Sequence, residues 1–180
     1  MDKTTNTAPK PRAQTPSDTR TMDLSDLLDH ALKDIYCAEK KIYKALPKMT
    51  KAAEDPALKE GLTAHRDETA QQIDILEEIF AAMGKRAKAE KCDAIDGILE
   101  EGSALLDDFK GGPAIDATII FSAQAVEHYE ITRYGSVQAC ARVLGHAEVA
   151  DMLGRILDQE RTADETLTAL AEGRVNAAAA

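Results

Sequence analysis

A chain of 180 residues is long enough for one domain with a sizeable core, and its formal net charge of −10 weighs against general nucleic-acid binding. It is 44% hydrophobic yet has only three Phe, four Tyr and no Trp, and no segment alternates β-branched and aromatic residues, so a strand-rich fold is excluded and an all-α one favoured. No run of about 18 apolar residues could span a membrane and the first residues hold no apolar signal core, so a cytoplasmic protein is expected.

Residues 1–21 are polar, rich in Pro and Thr, and offer nothing to anchor a core; they read as a disordered tail. A first long helix follows from about Leu24 to Ala53, with Asp23 or Ser25 as its cap and a kink expected at Pro47. Its apolar stripe is Leu28, Leu32, Ile35, Ile42, Leu46 and Met49, at spacings of three and four, and Glu39 interrupts it. Asp55 and Pro56, a cap and a first-turn proline, open a second long helix that ends near Gly84. Its inward face has apolar ends, Leu58 and Leu62 against Leu76 and Ile79, around a polar middle of His65, Glu68 and Gln72. A basic loop over 85–91 leads to a short helix from about Asp93 to Phe109, which the run Gly111, Gly112 and Pro113 stops. The third long helix runs to about Leu144 with Ile120, Ala123, Val137 and Ala141 on its face, broken by Glu127 and Glu130. After Gly145 the fourth covers about Ala147 to Glu172, where Glu160 interrupts Val149, Leu153, Ile156 and Leu167. The domain thus spans 22–173, and 174–180 is expected to fray.

Short links join the first long helix to the second and the third to the fourth, so each pair forms an antiparallel hairpin. Between the hairpins the chain has the length to travel back along a helix of roughly 40 Å, at about 1.5 Å per residue. That connectivity is a ferritin-like four-helix bundle with one long crossover carrying a short fifth helix. The hairpins also echo each other: Tyr43 follows Glu39 by four residues as Tyr134 follows Glu130, and Glu68 with Gln72 matches Glu160 with Asp164. A pseudo-symmetric site between two related hairpins is the expectation.

Glu39, Glu68, Glu130 and Glu160, one per long helix and each near its middle, form the centre of that site. Burying even one unpaired carboxylate costs several kcal/mol, and four together repel one another. Two divalent cations would supply the balancing charge, and an oxygen-rich shell suits iron or manganese, with zinc able to enter by affinity. Di-iron bundles take one Glu from each of two helices and Glu-x-x-His from each of the other two. Here Gln71 and Ala163 stand where those histidines would be. Glu127, one turn before Glu130, and Asp164, one turn after Glu160, are further candidate ligands; His65, Gln72 and His128 are alternative or supporting ones. A metal-free polar network is the competing reading, with Arg133, His65 and the tyrosines neutralising the carboxylates. Cys37, Cys92 and Cys140, odd in number and widely spaced, read as reduced structural cysteines.

The segments DIYCAEKKIYKALPKM (34–49), HRDETAQQIDILEEIF (65–80), KCDAIDGILEEG (91–102), AQAVEHYEITRYG (123–135) and EVADMLGRILDQERTADETLTALA (148–171) together resemble the YciE/YciF family of stress-associated ferritin-like proteins. The resemblance implies a five-helix ferritin-like domain, a homodimer, and a dinuclear metal site with Glu39, Glu68, Glu130 and Glu160 at its core and Glu127 and Asp164 next. It implies an association with stress responses but names no reaction. Two functions follow as expectations: a di-iron or di-manganese protein that handles oxygen, peroxide or iron, or a non-enzymatic stress or assembly protein whose centre is structural or vacant.

Overall fold

The computed structural model describes residues 21–180, so the expected N-terminal tail, apart from Thr21, lies outside the described residues. Five helices carry the fold: α1 (Leu24–Ala52), α2 (Pro56–Ala82), α3 (Asp93–Asp108), α4 (Ile115–Val143) and α5 (Ala147–Leu170); the described residues contain no strand. Each boundary has a local cause. Asp23 caps α1 by accepting from the Ser25 and Asp26 amides, while the Asp26 side chain accepts from the Asp23 amide, a reciprocal capping box. Asp55 caps α2 in the same manner, with Pro56 in the first turn. Helices α2 and α4 end at Gly84 and Gly145, whose φ values of 68° and 82° are left-handed, and the next amides bond back to the Phe80 and Ala141 carbonyls. Helix α1 continues past Pro47 to Ala52.

The long helices pair as α1 with α2 and α4 with α5, and the two hairpins meet along an α1/α4 seam and an α2/α5 seam. Leu28, Leu32, Ile35, Leu58, Leu76, Ile119, Leu153 and Ile156, all fully buried or nearly so, fill the space between them. The crossover loop is tied to α1 by charge: Lys33 and Lys85 both bind Asp29, at 2.7 and 2.6 Å, and Lys33 also reaches Glu90 at 3.2 Å. Helix α3 then lies over the α1/α4 seam, touching both helices. Ile95 and Leu106 are its buried anchors, Lys41 holds Asp96, and Lys48 donates to Ser103 at 2.8 Å. The close approach depends on Gly102, where an added Cβ would sit 3.3 Å from Cβ of Ser122 on α4. Helix α3 therefore covers one seam and leaves the other bare.

Residues 174–178, within the segment expected to fray, are helical. Beyond Leu170 the chain continues as a π-helical turn (Ala171–Val175) and a last α-helical turn (Asn176–Ala178). Ala171 and Val175 extend the apolar stripe into the core, and Arg174 Nη2 sits 2.6 Å from the Asp55 carboxylate at the start of α2. The three cysteines are free, as expected. Cys92 caps α3 through its sulfur, which lies 3.0 Å from the Tyr129 hydroxyl; that hydroxyl donates to Asp34 at 2.9 Å.

Candidate metal centre

Helix α4 packs against α1, α3 and α5, so it buries an unusually wide face. Glu127 and Glu130, three residues apart, both fall on that face and are 2% and 1% exposed. Glu39 on α1 and Glu160 on α5 are fully buried, and His65 on α2 is nearly so. One ligand atom each from His65, Glu127, Glu130 and Glu160 can be chosen so that all lie within 4.8 Å of one another. Donors on opposite sides of a metal bound at about 2.1 Å stand about 4.2 Å apart, so a small inward shift of side chains would close this group on a cation. Glu39 completes the buried set from the α1 side, where its carboxyl faces Glu130 and its Oε1 accepts from the Tyr134 hydroxyl.

Burial dominates the electrostatics. It raises the Glu39 carboxyl to about 8, with Glu160 adding to the shift, and raises Glu160 to about 7. Glu127 and Glu130 are pushed well above the usual carboxylate range by burial first and then by the neighbouring carboxylates. Desolvation lowers His65 to about 4. Although its Nε2 is 3.4 Å from Glu127, His65 is thus a neutral ring at pH 7, with a lone pair to give rather than a charge to pair. Contacts between Glu39 and Glu130, and between Glu127 and Glu160, are hydrogen bonds only when one partner of each pair keeps a proton.

A cation fits this donor set. Among the described residues, ten buried side-chain polar atoms have no hydrogen-bond partner, and eight are here: Glu39 Oε2, both His65 nitrogens, Gln72 Oε1, Glu127 Oε2, both Glu130 oxygens and Glu160 Oε2. An atom left unmet costs about 1–3 kcal/mol, and in the metal-free protein shared protons in the Glu39–Glu130 and Glu127–Glu160 contacts relieve part of that cost. No Lys or Arg ion pair among the described residues reaches these carboxylates. Arg133, the cation of the metal-free network, points outward to Asp34 and lies over the Tyr129 ring.

The remaining candidate residues lie at or beyond the edge of the buried cluster. Glu68 is not in the buried cluster: its side chain is 45% exposed, with one oxygen 4.0 Å from His65 Nδ1. Asp164 turns toward the outer edge of α4, where Gln124 donates to it at 3.0 Å and the exposed His128 lies 3.3 Å away. Gln72 is buried and donates to Glu160, fixing that carboxylate. Tyr134 donates to Glu39, so of the tyrosines proposed to neutralise the carboxylates this one does reach the cluster, and the repeated Glu-x-x-x-Tyr is its trace in the sequence. The repeat is broken at its other copy, where Tyr43 accepts from Arg66 at 2.9 Å near the surface.

The uncovered α2/α5 seam holds a groove of about 390 Å³ that reaches the centre. His65 and Glu127 form its floor, Glu68, Asp158 and Arg155 its polar end, and Leu58 and Leu170 its apolar end.

Known proteins share this architecture. A family described as a domain of unknown function, DUF892, matches residues 23–180. Protein YciF of Escherichia coli strain K12 is 34% identical over 154 residues, covering 85% of this chain and 93% of that protein. The crystal structure of the E. coli stress protein YciF superposes with a TM-score of 0.82 over 87% of this chain and 99% of that one, at 34% identity. YcfI of Rhodopseudomonas palustris, for which a structural role has been suggested, gives 0.81 at 40% identity over 88% of this chain and 99% of its own.

Proposed function

The chain belongs to the DUF892 family, and from the centre it carries we propose that it is a YciF-like stress protein binding two metal ions per chain, iron or manganese, with zinc as a competitor. The observation behind this reading is the gathering of eight unmet buried donor atoms from four helices at one place, with no protein cation among them. His65, Glu127, Glu130 and Glu160 would hold one ion, and Glu39 with Glu130 the other. When bound, such a pair supplies one-electron redox chemistry toward dioxygen or peroxide.

The residues around the centre have separable tasks. Tyr134 fixes Glu39 and Gln72 fixes Glu160, which sets two carboxylates from different helices before any cation arrives. With Glu39 raised to about 8 and Glu160 to about 7, the buried carboxyls are partly protonated at neutral pH and release those protons on loading, so metal affinity rises with pH. Glu68, at the open groove, draws cations inward and can turn toward His65.

Anaerobic titration of the metal-free protein with Fe(II) and with Mn(II) tests the reading. Two equivalents per chain are expected, falling to one or none in Glu130→Ala and Glu160→Ala; a wild-type stoichiometry near zero would sink it. A second reading, a non-enzymatic stress or assembly protein with a structural centre, draws on the missing Glu-x-x-His histidines and on the role suggested for YcfI. Metal that raises the melting temperature while oxygen and peroxide consumption stay at background would favour it. A homodimer belongs to either reading, and light scattering measures it.

A further inference from the structure

The centre is approached from a second side, beneath α3. A cavity of about 190 Å³ opens there between α1, α3 and α4, walled by Met49, Ile98, Leu99, Leu106 and Val126. Lys44 and Lys48 stand at its rim, and Ser122, whose hydroxyl has no partner, is its one buried polar side chain among the described residues. Behind it lies a void of about 10 Å³, roughly the room a single water-sized sphere needs. The void shares Ala45, Met49, Leu99 and Val126 with the outer cavity, and its inner wall is His65 and Glu127. Ile42, Leu46 and Ala123 complete its lining.

Apart from Lys44, Lys48, Ser103 and Ser122 around the outer cavity and His65 and Glu127 at the inner wall, the side chains lining this path are apolar. Along the stretch walled by Met49, Leu99 and Val126 a water molecule would lack the two to four polar partners that hold buried water, and only at the inner end could the unmet His65 and Glu127 atoms hold one; a small apolar molecule needs none. Apolar cavities of about 150 Å³ stay dry and take up xenon. The groove at the α2/α5 seam differs in kind, since Glu68, Asp158 and Arg155 border it and suit hydrated ions. We propose that α3 and the α1/α4 seam enclose an apolar route that binds dioxygen-sized apolar molecules and delivers them to the His65–Glu127 side of the centre, apart from the polar groove that admits cations. Its purpose rests on the metal-binding reading; its existence does not.

The test uses metal-free protein, so that the two can fail separately. Crystals pressurised with xenon should show density against Met49, Leu99 and Val126. In solution, dissolved oxygen should enhance relaxation of the Val126 and Ile42 methyls several-fold more than that of the similarly buried Leu153 and Ile79 methyls. Val126→Phe, or Leu99→Phe should the first not fold, should abolish both signals. Wild-type crystals without xenon at this position, or with an ordered water chain in it, would overturn the route while leaving metal binding untouched; zero metal uptake would do the reverse.

Discussion

The two seams between the hairpins are built from matching halves and end up unlike. At the α1/α4 seam α3 lies on top, Glu39 and Glu130 are sealed, and Tyr134 holds Glu39. At the α2/α5 seam nothing lies on top among the described residues; the groove leaves Glu68 half in solvent, and His65 meets the outside at its floor. A single crossover can cover only one of two equivalent seams, so the connection that makes the bundle possible also breaks its symmetry. One buried donor set thereby acquires a covered side and an open side.

Three experiments would sharpen or break that contrast. The largest effect is expected from Ile95→Ala, which removes a fully buried anchor of α3. It should cost about 2–5 kcal/mol in urea unfolding. A cost below about 1 kcal/mol would mean that α3 is a loose cover and the seams differ little. Next is the pair Tyr134→Phe and Tyr43→Phe. The first strips the partner from a buried carboxyl oxygen and should cost about 1–3 kcal/mol. The second acts on a half-exposed contact with Arg66 and should stay within about 0.5 kcal/mol. Equal costs would restore the symmetry that the repeat suggests.

The smallest effect concerns what the seams share. Glu39 and Glu160 rise from 4.5 to about 8 and about 7, so the folded metal-free protein holds these protons more tightly than the unfolded chain does. Their contribution is complete below about pH 4.5 and is lost as pH climbs toward 8. His65, lowered from 6.5 to about 4, has the opposite sign, since its contribution is present above 6.5 and lost as pH falls through 4. Between pH 6.5 and 8 only the carboxyls act, and the melting temperature of metal-free protein should fall by a few degrees, given about 2–4 °C per kcal/mol for a domain this size. Metal should flatten the slope; a flat curve without metal would mean the carboxyls are less buried than described.

Much of this was legible in the residues because burial against a helix face leaves a periodic trace. Glu39 and Glu160 stand out as lone carboxylates in apolar stripes and Glu127 with Glu130 as a pair, and all four are sealed in the core. Glu68 broke a stripe that was already polar from His65 to Gln72, so its register had no apolar neighbours to fix it, and the inward positions fall to His65 and Gln72 instead. Asp164 lies one turn after Glu160, as its spacing says, but its side chain faces Gln124 on the outer edge of α4. The short helix was visible as an amphipathic segment. Which seam it would cover was not, because that depends on Gly102 meeting Ser122 and on Lys41 meeting Asp96, contacts between residues 20 and 55 positions apart. The helical end was missed because Ala-rich residues carry little periodicity, and Val175 alone reports the contact.

The link from Arg174 to Asp55 spans 119 positions, and it has a consequence for the order of assembly. The first hairpin closes on contacts near in sequence, with the Asp55 cap already bonded to the Ala57 and Leu58 amides. During synthesis it must wait through the making of the crossover and the entire second hairpin before Arg174 arrives at that cap. The π-helical turn that carries Arg174 is therefore the last piece made for this corner, added to a bend that Asp116 of α4 already ties through the Glu54 and Asp55 amides.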